Sequence, residues 1–176
     1  MVLLMGGTMV GSSVILTGCA PEDRIEGLEF SDTDIAFLDE IGETIIPTTD
    51  TPGAKAVEIG AFMVMMVKDT YYKPEQEVFV EGLNNLRKEF REQVGSDFVE
   101  ASQEERTTYL NQVYEDARAE KEEREGPHYI DMLKDLTVLG YFTSEIGATQ
   151  ALRYVETPGR YDSCVDYQKG DKVFAL

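Results

Sequence analysis

Only one histidine, His128, and two cysteines, Cys19 and Cys164, occur in the 176 residues. They stand far apart, and no Cys-x-x-Cys or His-x-x-x-His spacing exists, so a metal cage has no signature here. Any Ser-His-Asp or Cys-His arrangement would have to use His128. That residue follows Gly126-Pro127 at a helix start, and it reads as surface or half-buried rather than catalytic. Neither Gly-x-Gly-x-x-Gly nor a P-loop is present, which removes the familiar backbone cradles for nucleotide or flavin. Carboxylates are plentiful, but Glu40, Glu43 and Asp50 would make an acid pair only by an accident of folding. Met63, Met65 and Met66 point to different faces of a helix, which suits gap-filling in a core better than a soft-metal site. The chain reads as no enzyme on its own, with no cofactor of its own.

Positive charge is scarce as well. Sixteen Lys and Arg stand against 34 Asp and Glu, giving a net charge of -18 and a pI of about 4.3. Such a balance keeps a protein soluble and repels nucleic acid and anionic lipid, so nucleic-acid binding is excluded. The apolar fraction of 42% is ordinary for a globular chain and argues against overall disorder. A chain of this length suits one domain, because folding then buries about two-thirds of the unfolded surface.

Charge is missing altogether from the opening "MVLLMGGTMVGSSVILTG". Its glycines and hydroxyl residues make it too weakly hydrophobic for a good membrane span. An export segment fits better, since that needs an apolar run followed by small residues. "LTGC" (Leu16 to Cys19) resembles a bacterial lipobox, in which the cysteine takes lipid and becomes the new N-terminus; the rival reading is a plain buried Cys19. The expected organisation is a lipoprotein signal over residues 1–18, an acidic spacer over 19–30 and one all-α domain over 31–176 with a C-terminal tail. A lipid on Cys19 would anchor the chain to the membrane, with the domain in the periplasm. No Lys or Arg precedes the apolar run, which leaves room for a natural start upstream of Met1.

What remains is helical punctuation. Ser31 with Asp34, and Ser102 with Glu105, are capping-box pairs, each in front of a periodic apolar stripe. The first stripe is Ile35, Leu38, Gly42 and Ile45, and Pro47 stops it. "PTTDTPG" reads as a two-proline corner that reverses the chain. Thr51 is the expected cap of the next helix, with Pro52 in its first turn. From Ala61 to Val67 that helix is apolar on nearly every side, which predicts a buried central helix with Phe62 largely inside. Phe79, Leu83, Leu86, Phe90 and Val94 mark a third helix ending at Gly95. Tyr109, Leu110, Val113, Tyr114 and Ala117 mark a fourth, and "HYIDMLKDLTVLGYF" a fifth. Thr143 is the expected cap of a short sixth helix before the tail. Alternating strand patterns are scarce. The predicted fold is all-α, a compact bundle of five or six helices with an irregular C-terminal tail.

Two segments carry a resemblance. "LDEIGETIIPTTDTPGAKAV" and "LTVLGYFTSEIGATQALRYVETPGRYDSC", in that order and with the helices between, resemble the gluconate 2-dehydrogenase subunit 3 family over roughly residues 30–167. The resemblance implies a non-catalytic small subunit of a periplasmic dehydrogenase. The larger partner would be an FAD-dependent flavoprotein of the glucose-methanol-choline type, oxidising a sugar, sugar acid or related alcohol. A c-type cytochrome, with haem c, would take the electrons. The small subunit would help the flavoprotein mature and leave the cell, although no twin-arginine signal for co-export is visible in this sequence. Tyr141, Phe142 and Tyr161, in the Gly-Tyr-Phe-Thr-Ser-Glu and Pro-Gly-x-Tyr elements, are the candidate partner interface. With Cys19 consumed by lipid, Cys164 is left unpaired in an oxidising compartment, and it is the candidate for an intersubunit disulfide. The competing reading is a lipid-anchored scaffold or binding lipoprotein with an unrelated partner. A self-contained hydrolase is a third class.

Overall fold

The computed structural model describes residues 24–121, 124–157, 159–160 and 164–175. The expected signal segment, Cys19 and Tyr161 fall outside them. Five α-helices make up the described core, as the periodicity predicts. The first, α1 (Asp32–Ile45), opens on a complete capping box: Ser31 Oγ accepts from the Asp34 N–H, and the Asp34 carboxylate accepts from the Ser31 N–H. Two orphan donors are satisfied at once, which fixes the start of the helix. Its inner face is Phe37, Leu38, Ile41 and Gly42.

After the corner the chain does not enter a helix at Pro52 as expected. Gly53 is extended, a 3-10 turn follows over Ala54–Val57, and Glu58 adopts a left-handed conformation (φ 53°, ψ 47°) before α2 (Ile59–Thr70) begins. The helix starts seven residues late: the Ala54 N–H bonds back to the Ile46 carbonyl, the Ala56 N–H to that of Gly53, and the Pro52 carbonyl accepts from the Tyr141 hydroxyl.

The expected all-round burial of α2 also fails. Ile59, Gly60, Met63 and Val67 are buried, whereas Ala61 and Met65 are exposed and Phe62 is half-buried. Helix α1 and the later helix Tyr129–Thr143 pack against α2, and among the described residues the side carrying Ala61 and Met65 is left uncovered. The α1–α2 approach is unusually close. A Cβ on Gly42 would lie 2.4 Å from Ile59 Cγ2, and one on Gly60 2.3 Å from the Ile35 carbonyl oxygen. Only hydrogen fits at either crossing point.

Helix α3 (Lys73–Val94) carries Pro74 in its first turn and stops at Gly95, which takes the left-handed φ of 85° that glycine supplies freely. It buries Phe79, Leu83, Leu86 and Phe90, as predicted, with Val94 only half-buried. Gln76, fully buried, donates to the Val67 carbonyl at the end of α2 and accepts from the Ile25 N–H, tying the spacer to the bundle. Helix α4 (Gln103–Ala119) has the second capping box, Ser102 with Glu105. Four rings hold α1, α3 and α4 together: Phe98 packs edge-on against Phe37 (5.2 Å) and Phe90 (4.8 Å), and Phe90 against Tyr109 (5.1 Å). Edge-to-face pairs of this kind add about 0.5–1.5 kcal/mol each beyond their burial.

Helix α5 (Tyr129–Thr143) closes the bundle, and a π-type turn (Gly147–Ala151) follows it. Ser144, not Thr143, starts that turn: its hydroxyl accepts from the Gly147 N–H, while Thr143 donates back to the Leu139 carbonyl of its own helix. The tail is mostly irregular, as expected. It returns once to pair β1 (Arg153–Tyr154) in parallel with β2 (Phe174–Ala175). Among the described residues no helix is long and apolar enough to cross a membrane.

Candidate functional site: the corner, the groove and the open face of the fifth helix

The corner between α1 and α2 is organised by one carboxylate. Glu43 accepts from the Thr48 N–H (2.8 Å), the Thr48 hydroxyl (2.7 Å) and the Lys55 N–H (3.0 Å). Gly53 passes so close that a Cβ there would lie 2.3 Å from Glu43 Oε2 and 2.5 Å from the Thr48 nitrogen, so glycine at this point is a packing requirement. From the opposite side the Tyr141 hydroxyl donates to the Pro52 carbonyl at 2.6 Å. Corner and α5 are thereby locked together across 89 residues of sequence.

One turn before Glu43 lies the most enclosed charge cluster of the described residues. Glu40 sits between the Arg106 guanidinium of α4 and the Lys55 ammonium. The Glu40 and Arg106 side chains are only 11% and 12% exposed, while Lys55 is 54% exposed. Burial pushes the Glu40 carboxyl up, but hydrogen bonds and charge from Lys55 and Arg106 outweigh it and hold the group below its ordinary range. Arg106 Nε is buried without a hydrogen-bond partner, so the guanidinium depends on Glu40 for its compensation. With Glu40 and Glu43 both committed to structure, neither is placed as a proton donor or acceptor for a substrate.

His128 is half-buried and caps α5, its Nδ1 accepting from the Ile130 N–H at 3.2 Å. Burial first, then the neighbouring Arg124, lowers its pKa and keeps the ring neutral, as that acceptor role requires. Among the described residues, no group of three or more His, Cys, Asp or Glu side chains is arranged to hold a metal ion.

The surface is more informative. A groove of about 540 Å³ opens between the end of α1, α4 and the start of α5. Ile45, Leu110 and Ile130 line its apolar part and Pro47 of the corner stands at its edge. Asn111 and Lys134 supply polar groups. Farther along α5, Val138, Leu139 and Phe142 are exposed and form an apolar strip. Of the three expected interface residues, Phe142 is at the surface (38% exposed), whereas Tyr141 is internal at 1%. Tyr141 therefore cannot touch a partner of the folded chain; adjacent residues on a helix face different ways, and its ring is needed to reach Pro52. Tyr161 lies outside the described residues. Cys164 is exposed, with its thiol free among the described residues. The groove itself escaped the sequence reading, because its walls come from three helices far apart in the chain.

Fold and surface together define a class: a small all-α domain whose interior polar groups serve the fold, and whose outside carries an open apolar groove and strip. The comparison with known families narrows this. The chain belongs to the gluconate 2-dehydrogenase subunit 3 family, whose sequence model matches residues 32–159, from the first residue of α1 to beyond the π turn. The family is that of a dehydrogenase subunit, so membership associates the chain with an oxidoreductase complex. No curated protein and no solved structure matches the chain.

Proposed function

We propose that this chain is the non-catalytic small subunit of a periplasmic, membrane-associated FAD-dependent dehydrogenase of the glucose-methanol-choline type. It binds the flavoprotein subunit and assists its maturation, export and stability. The substrate of that partner is a sugar, a sugar acid or a related alcohol, and a c-type cytochrome accepts the electrons. Lipid on Cys19 anchors the assembly, and Cys164 bridges to the flavoprotein. The observation that carries this reading is the family match across the whole set of α-helices. The exposed apolar strip of α5 supports it, since contiguous apolar surface of this kind serves protein contacts.

The test is a tagged chain captured from its native host and compared with the chain purified alone. A companion with a flavin absorption band, and no such band from the isolated chain, is the expected result. A colourless companion would favour the scaffold reading. A stoichiometric flavin or haem in the isolated chain would overturn the accessory role.

A further inference from the structure

The groove and the α5 strip are parts of one track. Lys134 lines the groove, and Lys134, Val138 and Phe142 follow at four-residue intervals, so they line up along a single face of α5. From Ile130 to Phe142 the face rises roughly 18 Å, the length of about three helical turns. The polar groups of the groove are only partly spent internally: Thr44 donates to the Glu40 carbonyl and Gln103 to that of Glu43. Among the described residues Asn111 makes no side-chain hydrogen bond. Among the described residues no carboxylate lies within ion-pair reach of Lys134; its ammonium donates to the Tyr114 hydroxyl and lies over that ring. Beside an apolar groove, a cation with no ion-pair partner among the described residues is complementary to an acid from outside.

We infer that this track is the docking site for a helical segment of the flavoprotein subunit, apolar along one face and carrying an Asp or Glu that pairs with Lys134. The inference rests on the proposed function and deepens it. The apolar side chains of the segment occupy the groove over Ile45, Leu110 and Ile130, and then pass Val138 and Phe142. Its carboxylate replaces the water around the Lys134 ammonium, and Asn111 bonds its backbone at the rim. This is the helix-in-groove mode of recognition, with one charge to set register.

Asn111→Trp fills the groove mouth, Lys134→Glu reverses the charge and Val138→Lys spoils the strip. All three positions are exposed, so folding survives. With Cys164→Ser in every chain, so that no disulfide can hold the companion, the full-length chain captured from its host should bring down about tenfold less flavin-bearing companion with each of the three substitutions than without it. Helical signal and melting should be unchanged, and Lys88→Glu on the exposed side of α3 should have no effect. A photo-crosslinker at position 111 should label an acidic, apolar-faced peptide of that companion. Wild-type capture by all three variants overturns the inference and leaves the accessory role standing. So does a crosslink that maps to a second copy of this chain. If the wild type brings no flavoprotein at all, the accessory reading itself is wrong, and the inference falls with it.

Discussion

Replacing Glu40 by glutamine removes one negative charge with almost no change in shape, and it strands Arg106. The magnitude follows from burial. At an effective dielectric of about 20, two unit charges in contact are worth about 4 kcal/mol before desolvation. Losing one partner of an enclosed pair costs about 3–5 kcal/mol, because the other charge stays buried without compensation. Lys55 is more than half exposed and adds little, about 0–1 kcal/mol at most. Glu40→Gln should therefore destabilise the domain by about 3 kcal/mol near neutral pH, read from urea unfolding followed by helical circular dichroism. Removing both charges, in Glu40→Leu with Arg106→Leu, should recover most of that loss. The pH dependence has a definite sign. The folded-state pKa of Glu40 lies below its unfolded value, so its stabilisation is complete above about pH 4.3 and is lost as pH falls through the folded pKa. The wild-type advantage over Glu40→Gln should stay level from pH 8 to 6 and shrink in acid below pH 4. A loss under about 1 kcal/mol, a double variant no better than the single, or an advantage that grows on acidification would refute the argument.

Tyr141→Phe removes the hydroxyl that holds the Pro52 carbonyl and should cost about 1–2 kcal/mol by chemical denaturation, with hydrogen exchange speeding up in the corner first. Glu58→Gly relieves a left-handed non-glycine residue and should raise stability by up to about 1 kcal/mol; a lower melting temperature would show that Glu58 is not strained. Non-reducing electrophoresis of the native complex should give one shifted band holding both subunits, absent after reduction and in Cys164→Ser. Subunits that run separately without reductant would dispose of the bridge. Cys19→Ser should move the chain from the membrane to the soluble periplasmic fraction when no membrane-bound partner is present, and retention on the membrane would count against the lipid anchor.

Helix boundaries that depend on local chemistry could be read directly from the residues. Ser31 with Asp34 and Ser102 with Glu105 form caps from groups three residues apart, so no distant part of the chain is needed to specify them. The α3 stripe and the Gly95 stop are legible for the same reason. The all-α class and the family followed from the order of such elements. The start of α2 was not legible: the corner before it is held by the Tyr141 hydroxyl on the Pro52 carbonyl, 89 positions apart in sequence, and local propensity cannot register that bond. Periodicity marked α2 and α5 as apolar, but which apolar residues go inside depends on which neighbours cover them. Met65, Val138 and Phe142 are outside only because no described helix lies over that side. The same holds for charge. Glu40 is one acid among 34 in the sequence, and it becomes the buried partner of Arg106 only when α1 and α4 bring together residues 66 positions apart. Local bonds fixed the helices; long-range packing chose the inside, the groove and the faces left open, since burial is a property of the whole assembly of helices and not of any one stretch.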